Sequence, residues 1–191
     1  MKYRTFGSIA VLLVLAGISA AGQNPSKQRL DAIWEAADDR VSRQVDVWFE
    51  DGDYPKVIHL LTFEATYAPH DYNVVTNLGW MRENVEDWDG ALATYIQYRK
   101  DNPQDKDAAL PEAQYYYMRK NYAPIPAILE PALKNHPHPN IYRILAHAYE
   151  RQQKISDAIR VWHEYLAIAP NDAPAKQNLA RDVKKLDPSK S

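Results

Sequence analysis

The stretch Asn77–Pro103, NLGWMRENVEDWDGALATYIQYRKDNP, decides the fold. Its apolar spacing predicts two amphipathic helices joined by a short turn, Tyr72 to Asn84 and Trp88 to Asp101, with Asp87 placed to cap the second. One such hairpin cannot bury its apolar stripe alone, so the neighbouring sequence must supply more of them. It does: the closing proline recurs as Pro69, Pro103, Pro137 and Pro170, spaced 34, 34 and 33 residues apart. At that period other columns fall into line. Large residues recur at Tyr54, Trp88, Tyr122 and Ile155, and seven positions later at Leu61, Tyr95, Leu129 and Trp162. Between them stand Val57, Ala91, Ile125 and Ala158, a column whose two alanines require a close helix approach. In the first half of the blocks Leu78-Gly79, Glu112-Ala113 and Leu145-Ala146 align, with Trp48, Tyr116 and Tyr149 three residues after the small one and Arg82 breaking that column. On this pattern Trp48, Trp88 and Trp162 are expected in the core, and Trp80 and Trp34 outside it.

These blocks resemble the tetratricopeptide repeat family. Asn77–Pro103 and the fourth block, Ile141–Pro170, IYRILAHAYERQQKISDAIRVWHEYLAIAP, carry most of the motif. The first block has a good second half, DGDYPKVIHLLTFEATYAP, and a weak first half, with Gln44 where leucine is usual. In the third, Glu112 takes the leucine position, and Pro131 falls inside the expected second helix, where it removes a backbone hydrogen bond and bends the chain. The resemblance implies an all-α fold: a right-handed superhelical solenoid of antiparallel helix pairs, about four repeats long. The blocks run 38–71, 72–105, 106–138 and 139–172, an array over 38–173. An N-terminal extension (23–37) carries Leu30, Ile33, Trp34 and Ala37 at helical spacing and continues into the first block as one helix from Ser26 to Glu50. A C-terminal cap (173–187) carries Leu179, Ala180, Val183 and Leu186 on one face and is followed by a short disordered tail, 188–191.

The N-terminus reads differently. Lys2 and Arg4 precede an uncharged stretch with an apolar centre, Ile9 to Leu15, and then the small residues Ser19, Ala20, Ala21 and Gly22. That is the pattern of a secretory signal peptide over 1–22, with cleavage favoured after Gly22 and an uncleaved anchor as the alternative. The expected location is outside the cytoplasm, and the periplasm if the source is a Gram-negative bacterium. With no cysteine in the chain, disulfide frameworks, thiol nucleophiles and cysteine metal sites are excluded together. The formal net charge is −2, and about −4 once Lys2 and Arg4 are gone, so nucleic acid is not an expected partner.

A stacked array leaves the first helix of each pair lining a concave groove. By the resemblance, that groove takes peptides through first-helix residues off the packing columns. The candidates are Asp46, Phe49, Asn73, Trp80, Gln114, Tyr117, Met118, Arg143, His147 and Arg181. Thr76, Glu83 and Leu110 belong to the same lining, which runs from acidic through aromatic to basic. A narrower version, also implied by the resemblance, has Arg143 and Asn178, with His147 replacing an amide, hold a C-terminal carboxylate. Chemistry is not expected. The six histidines form no His-x3-His pair, Asp51-Gly52-Asp53 and Asp87-Trp88-Asp89-Gly90 lack a full calcium-loop series, and neither a phosphate loop nor a nucleophile elbow occurs. The sequence thus points to an exported, non-enzymatic scaffold that binds a protein or peptide outside the cytoplasm, without cofactor or metal. Two rivals stay open: a cell-wall glycan-binding module using exposed aromatic rings, and a structural oligomer of arrays stacked end to end.

Overall fold

The computed structural model describes residues 25–186. The expected export segment, 1–22, and the tail, 188–191, lie outside them. In chain order the elements are α1 (Pro25–Glu50), α2 (Tyr54–Tyr67), α3 (Tyr72–Asn84), α4 (Trp88–Asp101), α5 (Leu110–Met118), α6 (Ile125–Leu129), a 3-10 turn (Glu130–Asn135), α7 (Pro139–Arg151), α8 (Ile155–Ile168) and α9 (Ala173–Leu186). No strand occurs among the described residues, and none of their helices is long and apolar enough to cross a membrane.

The chain divides into two compact units between Arg40 and Val41. The first contains the opening turns of α1, with Lys27 donating to Asp31 at 2.7 Å and with Leu30, Ile33 and Trp34 exposed. The second holds the helix pairs, in which α2 packs on α3, α3 on α4, α7 on α8 and α8 on α9. Its core is built on the repeat columns. Val57, Ala91, Ile125 and Ala158 are fully buried, as are Leu129 and Trp162, and Leu61 and Tyr95 nearly so. Each large apolar side chain withdrawn from water in this way contributes about 1.5–3 kcal/mol. The column seven residues earlier behaves differently. Trp88, expected inside, is 43% exposed, because it opens α4 at the rim of the repeat, where Tyr54, Tyr122 and Ile155 are also only partly covered. Trp48 is half-buried against the Val57, Leu61, Leu78 and Met81 cluster, and of the three column tryptophans Trp162 alone is fully enclosed.

Helix starts follow side-chain chemistry. The Asp71 carboxylate accepts from the N–H groups of Asn73 (2.8 Å) and Val74 (3.2 Å), and the Asp87 carboxylate accepts from Gly90 N–H (3.0 Å). Caps of this kind contribute about 1 kcal/mol each.

The turns inside the four pairs share one backbone device. Gly52, Glu86, Lys120 and Gln153 all have φ between 58° and 74°, again at the 34, 34 and 33 spacing. At each, the next residue's N–H reaches back five positions: Asp53 to Trp48, Asp87 to Arg82, Asn121 to Tyr116 and Lys154 to Tyr149, at 2.8–3.0 Å. This left-handed stop satisfies carbonyls that a helix end leaves open, and glycine enters it without steric cost. Only the first turn uses glycine. A left-handed non-glycine residue costs roughly 1–2 kcal/mol, and glycine's larger unfolded-state entropy returns about 0.4–1 of that. Lys120→Gly is therefore expected to raise stability by about 0.5 kcal/mol, and Gly52→Ala to lower it by about 1 kcal/mol. Chemical denaturation of the two variants should give midpoints on opposite sides of the parent, and shifts of the same sign would count against a strained turn.

The third pair departs from the pattern. Asp105 to Ala109 form a turn, so its first helix begins at Leu110. Leu110, expected to line the groove, instead sits in the core with Ile125 and Leu145, while its neighbour Pro111, also buried, borders the depression. Glu112 is buried at the leucine position and accepts from Arg99 Nε at 2.5 Å, which keeps the carboxylate paired. The second helix stops after five residues and tightens into the 3-10 turn at Glu130, next to Pro131, whose missing N–H and ring forbid a further α-helical turn. The expected bend is a change of helix type.

Candidate peptide groove

The first helices of the second and third pairs, α3 and α5, with the middle of α4, enclose a depression of about 480 Å³. Tyr72, Thr76, Trp80 and Glu83 line it from α3, Pro111, Gln114, Tyr115 and Met118 from α5, and Tyr95 from α4. On α3 these are residues three or four apart, and on α5 Pro111, Gln114 and Met118 keep that spacing with Tyr115 beside them, hence one face of each helix. Trp80 is 50% exposed and Met118 70% exposed, both large apolar groups at the mouth. The Phe49 ring lies 5.7 Å from that of Trp80 and extends the apolar strip onto α1.

Beneath the mouth the polar groups are held in a chain. Tyr95 Oη donates to Glu83 at 2.9 Å, and Arg119 Nη1 donates to the other Glu83 oxygen at 3.1 Å. Arg119 is clasped between the Trp88 and Tyr115 rings, at 4.4 and 3.8 Å, and Tyr115 Oη donates to the Trp88 carbonyl at 3.0 Å. Burial, then the hydrogen bond to Glu83, push the Tyr95 phenol far above its ordinary range, so it stays a donor at any working pH. Burial, then the charges of Asp107 and Asp105, raise Tyr72 as well. Tyr95 can occupy this place because Gly79 has no side chain; a Cβ there would stand 2.1 Å from the ring.

Of the ten candidates, Trp80, Gln114 and Met118 line the depression and Phe49 adjoins it. Asp46 is exposed on α1, and Asn73 is exposed in the first turn of α3, its N–H given to Asp71. Tyr117 is half-buried against Tyr122, ring centroids 5.4 Å apart, and does not line the depression. Tyr72, Tyr95, Pro111 and Tyr115 line it without having been marked as candidates. The first signal for Tyr95 was available in principle: a hydroxyl-bearing ring on a packing column opposite a glycine.

The basic end is already matched by acids of the same chain. Arg143 donates to Asp172 at 2.7 Å and to Tyr165 Oη at 3.0 Å. Glu150 accepts from Arg181 at 3.0 Å and from Lys185, and lies 3.1 Å from the His147 ring. Asn178 accepts from Arg181 at 2.7 Å. The trio expected to clamp a terminal carboxylate is thus spent on internal partners. No cluster of metal-ligating side chains forms among the described residues. Burial would raise Glu150, but hydrogen bonds from Lys185 and His147 and the charges of Arg181 and Lys185 hold it at about 2. The Ala175 N–H, then Tyr165 and Arg143, hold Asp172 at about 2 as well. Both values lie below those of the unfolded chain, so this stabilisation is complete at neutral pH and is lost as pH falls from about 4.5 towards 2. Melting temperature should decline across that window, and Glu150→Gln, which lacks part of the effect already at pH 7, should decline less. Parallel curves would exclude Glu150 from the acid response.

Residues 139–182 match the family model described as tetratricopeptide repeat. Among solved structures, MamA residues 41-end from Desulfovibrio magneticus RS-1 superposes with a TM-score of 0.59 at 18% identity, covering 78% of this chain and 85% of that one. The first TPR of Spaghetti (RPAP3), bound to the HSP90 peptide SRMEEVD, gives 0.52 at 20% identity, covering 59% and 90%. The first TPR domain of human RPAP3 gives 0.53 at 21% identity, covering 62% and 94%. No curated protein matches the sequence. These identities speak to the fold alone: the last helix pair and the start of the cap match the tetratricopeptide-repeat model, and the architecture over most of the described chain is that of tetratricopeptide-repeat structures.

Proposed function

We propose that this protein is an exported, non-catalytic scaffold that binds a segment of another extracytoplasmic protein in the groove centred on the depression between α3 and α5. One observation carries the reading: Trp80 and Met118 stand exposed at the mouth of a cavity whose floor is held rigid by Tyr95, Glu83 and Arg119. Exposed aromatic and methionine side chains over a braced floor are the usual anchors of peptide recognition. The RPAP3 domain holds its HSP90 peptide on the same fold, and an analogous use is proposed here. Export rests on Lys2, Arg4, the apolar run and the small residues before Gln23, and a mature chain beginning at Gln23 is the expected mass-spectrometric result.

A photoreactive residue replacing Gln114 should crosslink a protein in cells. Trp80→Ala combined with Met118→Ser should weaken that partner's binding by about 10- to 100-fold, the loss expected if the two anchors together contribute roughly 1.4–2.8 kcal/mol. Undiminished binding by the double variant would exclude the depression. Tryptophan quenching by soluble peptidoglycan fragments, with no protein crosslinked, would favour glycan recognition instead.

A further inference from the structure

Resting on that groove, we propose that the segment it takes is basic: an apolar side chain entering the depression, flanked within a turn or two by lysine or arginine. The charge around the mouth is one-sided. From Val41 to Asp89 there are ten Asp and Glu against three Lys and Arg. Two of the three bases are taken, Arg82 by Asp87 at 3.2 Å and Lys56 by Asp53. On α1, Asp46 stands one turn before Phe49, whose ring meets that of Trp80, and Glu50 follows Phe49 directly and lies one turn beyond Asp46. Neither has an ion-pair partner among the described residues, and both are exposed.

The other walls do not balance them. Pro111, Gln114 and Met118 of α5 are uncharged, and Arg119 is committed to Glu83. Further along, Arg143 is committed to Asp172, and Arg181 and Lys185 to Glu150 and Asp182. An acidic segment would therefore meet free carboxylates at one end and spent cations at the other. Glu83, neutralised by Arg119, does not call for a cation inside the depression, so its interior suits an apolar group while the partner's cations face Asp46 and Glu50. The exposed Trp80 ring adds a face on which a flanking arginine can lie.

The test is a selection of random twelve-residue displayed peptides on the immobilised whole protein, with Trp80→Ala as counter-selection. Enriched peptides should carry Leu, Met, Phe or Trp with two or more Lys or Arg within four residues. The best synthetic peptide should bind about tenfold more weakly to the Asp46→Asn, Glu50→Gln variant, and its affinity should fall steeply with salt. Enrichment of acidic or uncharged peptides that still need Trp80 would overturn the charge assignment and leave groove recognition standing. Basic peptides indifferent to Trp80, or no enrichment at all, would overturn the groove itself.

Discussion

Trp162→Ala is expected to destabilise the protein by about 4 kcal/mol, the middle of the range for removing a fully buried large aromatic side chain. Trp162 has no exposed surface and packs among Ile141, Leu145, Val161 and Ala175, where α7, α8 and α9 meet. Its loss removes more than volume. Trp162 Nε1 donates at 3.2 Å to Asp182, a carboxylate with no exposed surface of its own. Without the indole, Asp182 keeps only the longer contacts to Lys185 (3.3 Å) and Arg181 (3.4 Å), and an under-satisfied buried charge adds its own cost. Asp182→Asn separates the two contributions, because it keeps an acceptor for the indole while removing the charge. Since each pair in a stacked array leans mainly on its neighbours, the damage should be local: hydrogen exchange should accelerate in α7, α8 and α9 far more than in α2 and α3. A loss below about 1 kcal/mol, or uniform acceleration, would refute this account.

The second large effect comes from adding a single methyl group. Alanine exceeds glycine in helix propensity by about 1 kcal/mol, so Gly79→Ala on solvent-facing helix would stabilise. Here the new Cβ would lie 2.1, 2.4 and 2.7 Å from three atoms of the Tyr95 side chain. The ring cannot swing freely, because it is buried, set against Tyr115 at 6.2 Å and tied through its hydroxyl to Glu83. Overpacking of this kind costs about 1–3 kcal/mol, and the lost Glu83 bond adds about 1 more, so a net loss of about 2 kcal/mol is expected despite the propensity gain. Tyr95 and Glu83 also form the floor of the groove, so the folded fraction of Gly79→Ala should bind its partner more weakly. The pair Gly79→Ala with Tyr95→Phe should recover little stability, since Phe keeps the clashing ring carbons, whereas Tyr95→Leu should recover more. A stabilised Gly79→Ala protein would show that the helices can move apart.

How much of this could be read before the coordinates depends on how far apart the partners lie in sequence. The spacing of the prolines and the column Val57, Ala91, Ile125 and Ala158 are local and periodic, and they correspond to helix pairs with four fully buried side chains. Trp88 shares a column's chemistry without its burial, because periodicity does not reveal that the column lies at the rim. The charge pattern misled most. Arg143, His147 and Arg181 look like free cations on helix faces, yet Asp172 lies 29 residues beyond Arg143 and Glu150 lies 31 before Arg181. Such pairings join residues about 30 apart in the chain and leave no mark at helical spacing. Tyr95 reads as a core residue from its column, because the gap at Gly79 that lets its ring border the groove is set by a different helix.

The left-handed turns at Gly52, Glu86, Lys120 and Gln153 bear on how this gene can drift. Acid, base, amide and glycine have all been accepted at that site, so comparing the blocks letter by letter discloses no rule. Valine, isoleucine and threonine are barred there by their second substituent at Cβ. What the four turns share is thus a set of excluded side chains rather than a common letter.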